Sequence, residues 1–163
     1  MQFSIYIPAR NIAPYIDKCV KSAWDTGASE VVIGDNNSGD NTRELALALG
    51  CKIVDVPNEF YPIYGYGAAY NYIAKHCSND WVVNLPGDTY IHNPQQIQTV
   101  IESNKSPYYW VSLYRPEDDV EHYKQYFDFI HSRVYDRRKV RWSLDLLHEG
   151  LVIEDGSPKG KFC

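Results

Sequence analysis

The chain has a single methionine, at position 1, and its four cysteines, Cys19, Cys51, Cys77 and Cys163, include no Cys-x-x-Cys pair. Zinc sites and disulfide frameworks need closely and regularly spaced cysteines, so neither is expected and the thiols read as reduced. Basic residues are not in excess: 16 Lys and Arg stand against 21 Asp and Glu, for a formal net charge of −5. A protein that binds duplex nucleic acid needs a basic face to displace counterions, so no nucleic-acid partner is expected. No apolar run approaches the ~20 residues of a membrane-spanning helix, and no basic region followed by an apolar segment is seen near Met1. The expectation is a cytoplasmic chain with no transmembrane segment. Repeats, low-complexity tracts and linker-like segments are also lacking, so residues 1–163 are expected to form one domain. With 44% hydrophobic residues the chain can build a core of its own.

What is present is a regular exchange of strand and helix patterns. Phe3 to Ile7 is a β-rich run closed by Pro8, and the following segment places Ile12, Ile16, Cys19, Val20 and Ala23 at helical spacing. Further apolar strands are read at Glu30 to Gly34, Lys52 to Val56 and Trp81 to Leu85. Helices are read in "TRELALALG", with Gly50 as its C-terminal cap, in "GYGAAYNYIAKHC", and in "NPQQIQTVIESN", with Asn93 as N-cap and Pro94 at the first helical position. Such alternation predicts an α/β fold with a mostly parallel central sheet and helices on both faces. Beyond Pro107 the rhythm turns mixed. "YYWVSLYR" reads as a strand, and "FDFIHSRVYDRRKVRW" as one or two more with a turn near Arg137 and Arg138.

The chemistry-bearing residues collect where the strands end. "PARN" follows the first strand, "DNNSGDNT" the second and "PGDT" the fourth. Turns alone demand Asn, Asp, Gly and Pro, so any one of these stretches could be a solvated turn. Together they lie where an open α/β sheet gathers ligands, outside the carboxyl ends of its strands. "GYGAAYN" lacks the spacing of a GxGxxG loop, which argues against a dinucleotide-binding fold.

"FSIYIPARN", "EVVIGDNNSGDNT", "GYGAAYN" and "DWVVNLPGDT", in that order, resemble an inverting nucleotide-sugar glycosyltransferase of family 2 with the GT-A fold. The likeness covers roughly the first two thirds of the chain. It implies a Rossmann-like GT-A domain, a nucleotide-sugar donor, most simply a UDP-sugar, and a glycan or other hydroxyl acceptor. It further implies that Pro8, Ala9, Arg10 and Asn11 line the base pocket, that Asp35 hydrogen-bonds the uracil or ribose, and that Asn37 and Asp88 belong to the nucleotide site. Ser38 and Asp40 read instead as residues that shape the turn and cap the next helix. Tyr66, with Tyr61, Tyr64 and Tyr70, offers a stacking surface for sugar or base, although aromatic clusters more often build core. Replacing Asp35 is expected to weaken nucleotide binding without loss of thermal stability.

The family's metal motif is Asp-x-Asp, where this chain has Pro86-Gly87-Asp88. The resemblance aligns Asp88 with the carboxylate that holds Mn2+ or Mg2+ against the donor diphosphate, and the first Asp is missing. "SRVYDRRKVRWSLDLLHEGLV" is similar to the C-terminal segment of lipopolysaccharide-core-type members, which implies His148 as a further metal ligand, a choice that favours Mn2+. Inversion needs a carboxylate base for the acceptor hydroxyl. Glu149 is one candidate, and Asp118, beside Asp119, is the other. The alternative is a catalytically silent GT-A module that binds nucleotide or glycan, or a structural subunit.

Overall fold

The computed structural model describes residues 1–112, 131–144 and 150–154. Its strands are β1 (Phe3–Ala9), β2 (Glu30–Asp35), β3 (Lys52–Asp55), β4 (Trp81–Asn84), β5 (Tyr108–Ser112), β6 (His131–Asp136), β7 (Val140–Trp142) and β8 (Leu151–Ile153). The helices are α1 (Ala13–Asp25), α2 (Thr42–Ala48), α3 (Gly65–Lys75) and α4 (Gln95–Ser103). Six strands form one sheet in the order β3-β2-β1-β4-β6-β5. The first four are mutually parallel, and β6 runs antiparallel to both β4 and β5. Strands β7 and β8 pair separately as an antiparallel ribbon.

The central parallel strands β1, β2 and β4 are almost wholly buried because both sheet faces are covered, whereas the edge strand β3 exposes Lys52 and Asp55. Successive side chains point to opposite faces, so β1 sends Ile5 and Ile7 one way and Tyr6 the other. Ile5 and Ile7 enter a core completed by Ile16, Cys19, Val20 and Ala23 of α1 and by Ile97 and Ile101 of α4. Tyr6 enters a second core with Ala69 and Ile73 of α3 and with Trp142 and Leu151 of the ribbon. Burying these side chains, at about 25 cal/mol per Å2 of apolar surface, is the main favourable term in folding.

Two glycines allow α3 its close seat. A β-carbon at Gly34 in β2 would overlap the end of the Ile73 side chain, and one at Gly67 would run into the Ser143 carbonyl. The second contact is with backbone, which cannot rotate away. It fixes the segment after β7 against the first turn of α3.

The structure adjusts several sequence expectations. Strands β3 and β4 end at Asp55 and Asn84, one residue before the expected limits, yet the ladder continues: the Val56 N–H donates to the Asp35 carbonyl at 2.8 Å and that of Leu85 to Tyr6 at 3.0 Å. Helix α4 begins at Gln95 with Pro94 as its N-cap, and there is no side-chain capping bond. Asn93 is therefore not the cap; Pro94 holds φ at −63° and already starts the helical path. The π-helical turn Phe60–Tyr64 and strand β8 were not foreseen. Gly50, at φ +79°, does close α2 as expected, just past its C-cap residue Leu49.

Candidate functional site

The loops after β1, β2 and β4 are physically joined. Asn11 adopts the left-handed conformation at φ 55°, and in it the backbone N–H donates to Ser38 Oγ at 2.9 Å while its Oδ1 accepts from the Gly39 N–H at 2.7 Å. Next to this pair the Ile12 N–H donates to Thr42 Oγ1, and the Ala13 N–H to Asp40 Oδ2. Asp40 Oδ1 in turn accepts from the Thr42 N–H and hydroxyl. Asp40 thus satisfies N–H groups at the starts of both α1 and α2, which fits the structural role expected for it and extends it across two loops. Gly87 brings in the third loop: a β-carbon there would crowd Ile12 and the Pro8 carbonyl.

Asp35 closes β2, opposite Ala9 of β1 and Asp55 of β3. Its side chain is wholly buried and accepts from Ser38 Oγ at 2.5 Å, from the Ser38 N–H at 3.3 Å and from Arg43 Nη1 at 3.0 Å. Arg43 also binds the exposed Asp55 carboxylate. A carboxylate offers about four lone-pair sites, so the three contacts leave one acceptor position on Oδ1. Tyr61 stands close enough to feel the Asp35 charge: burial first, then Tyr66 and Asp35, push its hydroxyl pKa up to about 12. The Tyr61 ring meets that of Tyr66 edge-on at 5.1 Å, and Tyr66 itself is 52% exposed. Arg10, Asn11 and Asn37 are exposed at the same end of the sheet, and Asn37 is also left-handed at φ 54°.

Asp88 is half-buried in the β4 loop. That loop is braced by Thr89, whose hydroxyl and N–H both donate to the Pro86 carbonyl, and by the Ile91 N–H bound to Ser22 Oγ of α1. Cys19 lies beneath. Burial first, then the Asp88 charge and Cys51, push its thiol well above the usual range, so it is an unreactive core residue. Strands β2 and β4 both flank β1, so the strands that carry Asp35 and Asp88 lie roughly 10 Å apart, two strand spacings. Both strands run parallel to β1, so Asp35 and the loop that carries Asp88 lie at the same, carboxyl end of the sheet. Among the described residues no three His, Cys, Asp or Glu side chains converge on one point. Asp118, Asp119, His148 and Glu149 lie outside the described residues.

Tyr61 was foreseen only as one of several aromatics, and Arg43 not at all. The Asp35–Arg43–Asp55 triad depends on the pairing of β2 with β3, and nothing local in "DNNSGDNTRE" announces it. A groove of about 640 Å3 along the outer flank of α3, lined by residues such as Phe60, Tyr72, Lys75 and Arg141, contains none of the strand-end residues. Two of its arginines are paired with acids: Arg141 faces Glu154, and Arg138 faces Asp80 and Asp136. The strand-end loops, not this groove, carry the concentration of unusual chemistry.

The glycosyl transferase family 2 profile matches residues 4–159. The chain belongs to this family. An uncharacterized glycosyltransferase of Rickettsia typhi is 30% identical over 101 residues, 62% of this chain and 32% of the relative. A 4,4'-diaponeurosporenoate glycosyltransferase of Staphylococcus haemolyticus is 27% identical over 103 residues, 61% of this chain and 28% of its own length. The chain thus spans about a third of the length of these curated relatives. Among solved structures, S. aureus TarS 1-349 superposes with a TM-score of 0.61 at 18% identity, over 90% of this chain and 51% of that one. Glucosyl-3-phosphoglycerate synthase from Mycobacterium tuberculosis, in complex with Mn2+, UDP and glucosyl-3-phosphoglycerate, gives a TM-score of 0.60 at 19% identity, over 84% and 57%. These likenesses bear out the GT-A fold, with its mainly parallel six-stranded sheet. No helix among the described residues is long and apolar enough to cross a membrane.

Proposed function

We propose that this family 2 glycosyltransferase moves a sugar, with inversion, from a nucleoside diphosphate donor, a UDP-sugar for preference, to a hydroxyl acceptor, with the help of a divalent cation. The observation that carries the reading is the joining of the β1, β2 and β4 loops, which sets Asp35 and Asp88 at one end of the sheet on the strands to either side of β1. The remaining Oδ1 lone pair of Asp35, closed off from solvent in the free chain, is assigned to a ring N–H or ribose hydroxyl of a nucleoside whose binding uncovers it. Pro8, Ala9, Arg10, Asn11 and Asn37 frame it, and the exposed Tyr66 ring offers a stacking face.

One carboxylate does not enclose a cation, but it fits one held jointly with a diphosphate, because Mg2+ and Mn2+ take oxygen ligands and keep several waters. Asp88 is the described residue that would hold it, with His148 as a further ligand. Such an ion supplies positive charge against the leaving diphosphate. Glu149 or Asp118 takes the proton from the acceptor hydroxyl as its oxygen attacks the anomeric carbon from the side opposite the diphosphate.

Pro86, in place of the first Asp of the family motif, is the one feature that favours a module that binds without turnover. A hydrolysis and transfer screen over a panel of nucleotide sugars, beside calorimetric titration of UDP with and without Mn2+, separates the two readings. Cation-dependent UDP binding with turnover of a donor is the expected result. Tight binding with no turnover of any donor would leave the silent module, and absence of UDP binding would remove both.

A further inference from the structure

The groove along the outer flank of α3 has no part in the nucleotide site, and its two walls come from different elements. One is a stripe of the helix itself: Ala68, Asn71, Tyr72 and Lys75 recur at the i, i+3, i+4 and i+7 spacing that sets side chains on one face. The other is the β7–β8 ribbon and its flanks, with Val140, Arg141, Leu144 and Glu154. Between them lie about 640 Å3, within the roughly 300–1,000 Å3 of clefts that take ligands.

The walls are tied to each other. Asn71 of α3 accepts from the Trp142 N–H at 2.9 Å and donates to the Trp142 carbonyl at 3.0 Å, and Arg137 Nη1 donates to the Ala74 carbonyl at 3.0 Å. The groove is therefore built before any occupant arrives. It also keeps apolar surface in water: Leu144 is 63% exposed, and Phe60 and Tyr72, packed ring against ring, are only partly buried.

Its charge is unbalanced as well. Lys75, Arg137, Arg138 and Arg141 line it against Asp80 and Glu154. Arg141 takes Glu154 and Arg138 takes Asp80, which uses up both acids. Arg137 gives its hydrogen bonds to the Ala74 and Lys75 carbonyls, and these occupy donors without cancelling its charge. Among the described residues neither Arg137 nor the exposed Lys75 has an ion-pair partner. A second copy of the chain seated here across a two-fold axis would bring the same cations to the same place, where they repel. An acidic occupant meets no such cost. Since one wall is a regular helix face, whose ridges and grooves another helix can fill, we propose that the groove docks an acidic helix of a protein partner, with its apolar side chains on Phe60, Tyr72 and Leu144 and its carboxylates toward Lys75 and Arg137. The inference is independent of what binds at the strand ends.

The probe is a labelled synthetic helix of about 15 residues with leucines at i, i+3, i+4 and i+7 and glutamates beside them, set against the same peptide with lysines for glutamates and another with serines for leucines. Binding is followed by fluorescence anisotropy. The acidic apolar peptide is expected to bind about tenfold or more tightly than either control, and to weaken as salt is raised. Lys75→Glu and Leu144→Ser should each lower its affinity about fivefold or more. Lys21→Glu, on α1 across the sheet from α3, should leave it unchanged. Thermal unfolding and UDP titration of each variant report the fold and the nucleotide site separately, so failure at the strand ends is distinguished from failure in the groove. No binding of the acidic peptide by the wild type, equal affinity for the acidic and basic peptides, or full affinity in folded Lys75→Glu and Leu144→Ser overturns the inference. So does a loss as large in Lys21→Glu, and so does a dimer in sedimentation that Leu144→Ser dissociates, which would give this face to a second copy.

Discussion

Asp35 and Tyr66 are both assigned to the nucleotide, but their surroundings separate what their removal does. Asp35 is buried beneath bonds from Ser38 and Arg43. Asp35→Ala removes the buried acceptor of the Ser38 N–H and hydroxyl and leaves Arg43 with Asp55 alone, so it should cost about 1–3 kcal/mol of stability, read by urea unfolding, as well as weaken UDP binding by about 1.5–3 kcal/mol. The sequence expectation of an unchanged thermal midpoint does not survive that burial. Tyr66 is half in solvent, so Tyr66→Ala should leave stability within about 0.5 kcal/mol while lowering nucleotide affinity by about 1–3 kcal/mol, the range for base stacking on an aromatic ring. Calorimetry on both variants checks the contrast; unchanged UDP affinity in Tyr66→Ala would remove the ring from the pocket. Asp35 was legible because it ends an apolar strand and opens a polar loop. Its commitment to Arg43 was not, since the cross-strand neighbour Asp55 comes from a segment twenty residues away in sequence.

At the scale of elements, helix α3 carries Tyr66 and Tyr70 and seats against Ser143 through Gly67. Gly67→Ala gains a little helix propensity but forces a β-carbon into a backbone carbonyl. The overpacking should prevail, with a loss of about 1–3 kcal/mol, seen as a lower thermal midpoint by circular dichroism. A raised midpoint would mean that α3 sits further from the β7 segment than described. The four parallel strands and four helices were readable because each has a strong period and a turn-forming boundary. Even the β6 to β7 turn lies at Arg137 to Lys139, where the sequence placed it. The π-helical turn at Phe60–Tyr64 was hidden because "FYPIY" has no helical period, and its rings are arranged by contacts such as Phe60 with Tyr72, at 4.9 Å. Strand β8 is three residues long, too short for alternation to register, and exists only because β7 pairs with it.

For the molecule as a whole, acid is the informative variable. Burial alone would raise the Glu30 pKa, but hydrogen bonds from Ser4 and Ser78 and the charge of Lys52 outweigh it and hold the carboxyl below its usual range. The same contest at Asp136 is won by Arg138 and Lys139. Glu30 ties β1 to the turn before β4, and Asp136 closes β6, so both act on the sheet. A carboxylate with a depressed folded pKa stabilises fully above its unfolded value, about 4.3 for Glu and 3.9 for Asp, and loses that stabilisation as pH falls through the folded value. Stability should therefore hold level near neutrality and fall below about pH 4, and Glu30→Gln should flatten part of that fall in urea unfolding curves recorded across pH. The central claim is narrower: the loops after β1, β2 and β4 form one pocket in which Asp88 holds a cation against a nucleoside diphosphate. Mn2+ titration followed by electron paramagnetic resonance, with UDP present, tests it in the wild type and in Asp88→Ala. The account predicts UDP-dependent Mn2+ binding that Asp88→Ala abolishes, and equal Mn2+ affinity in the two proteins would contradict it.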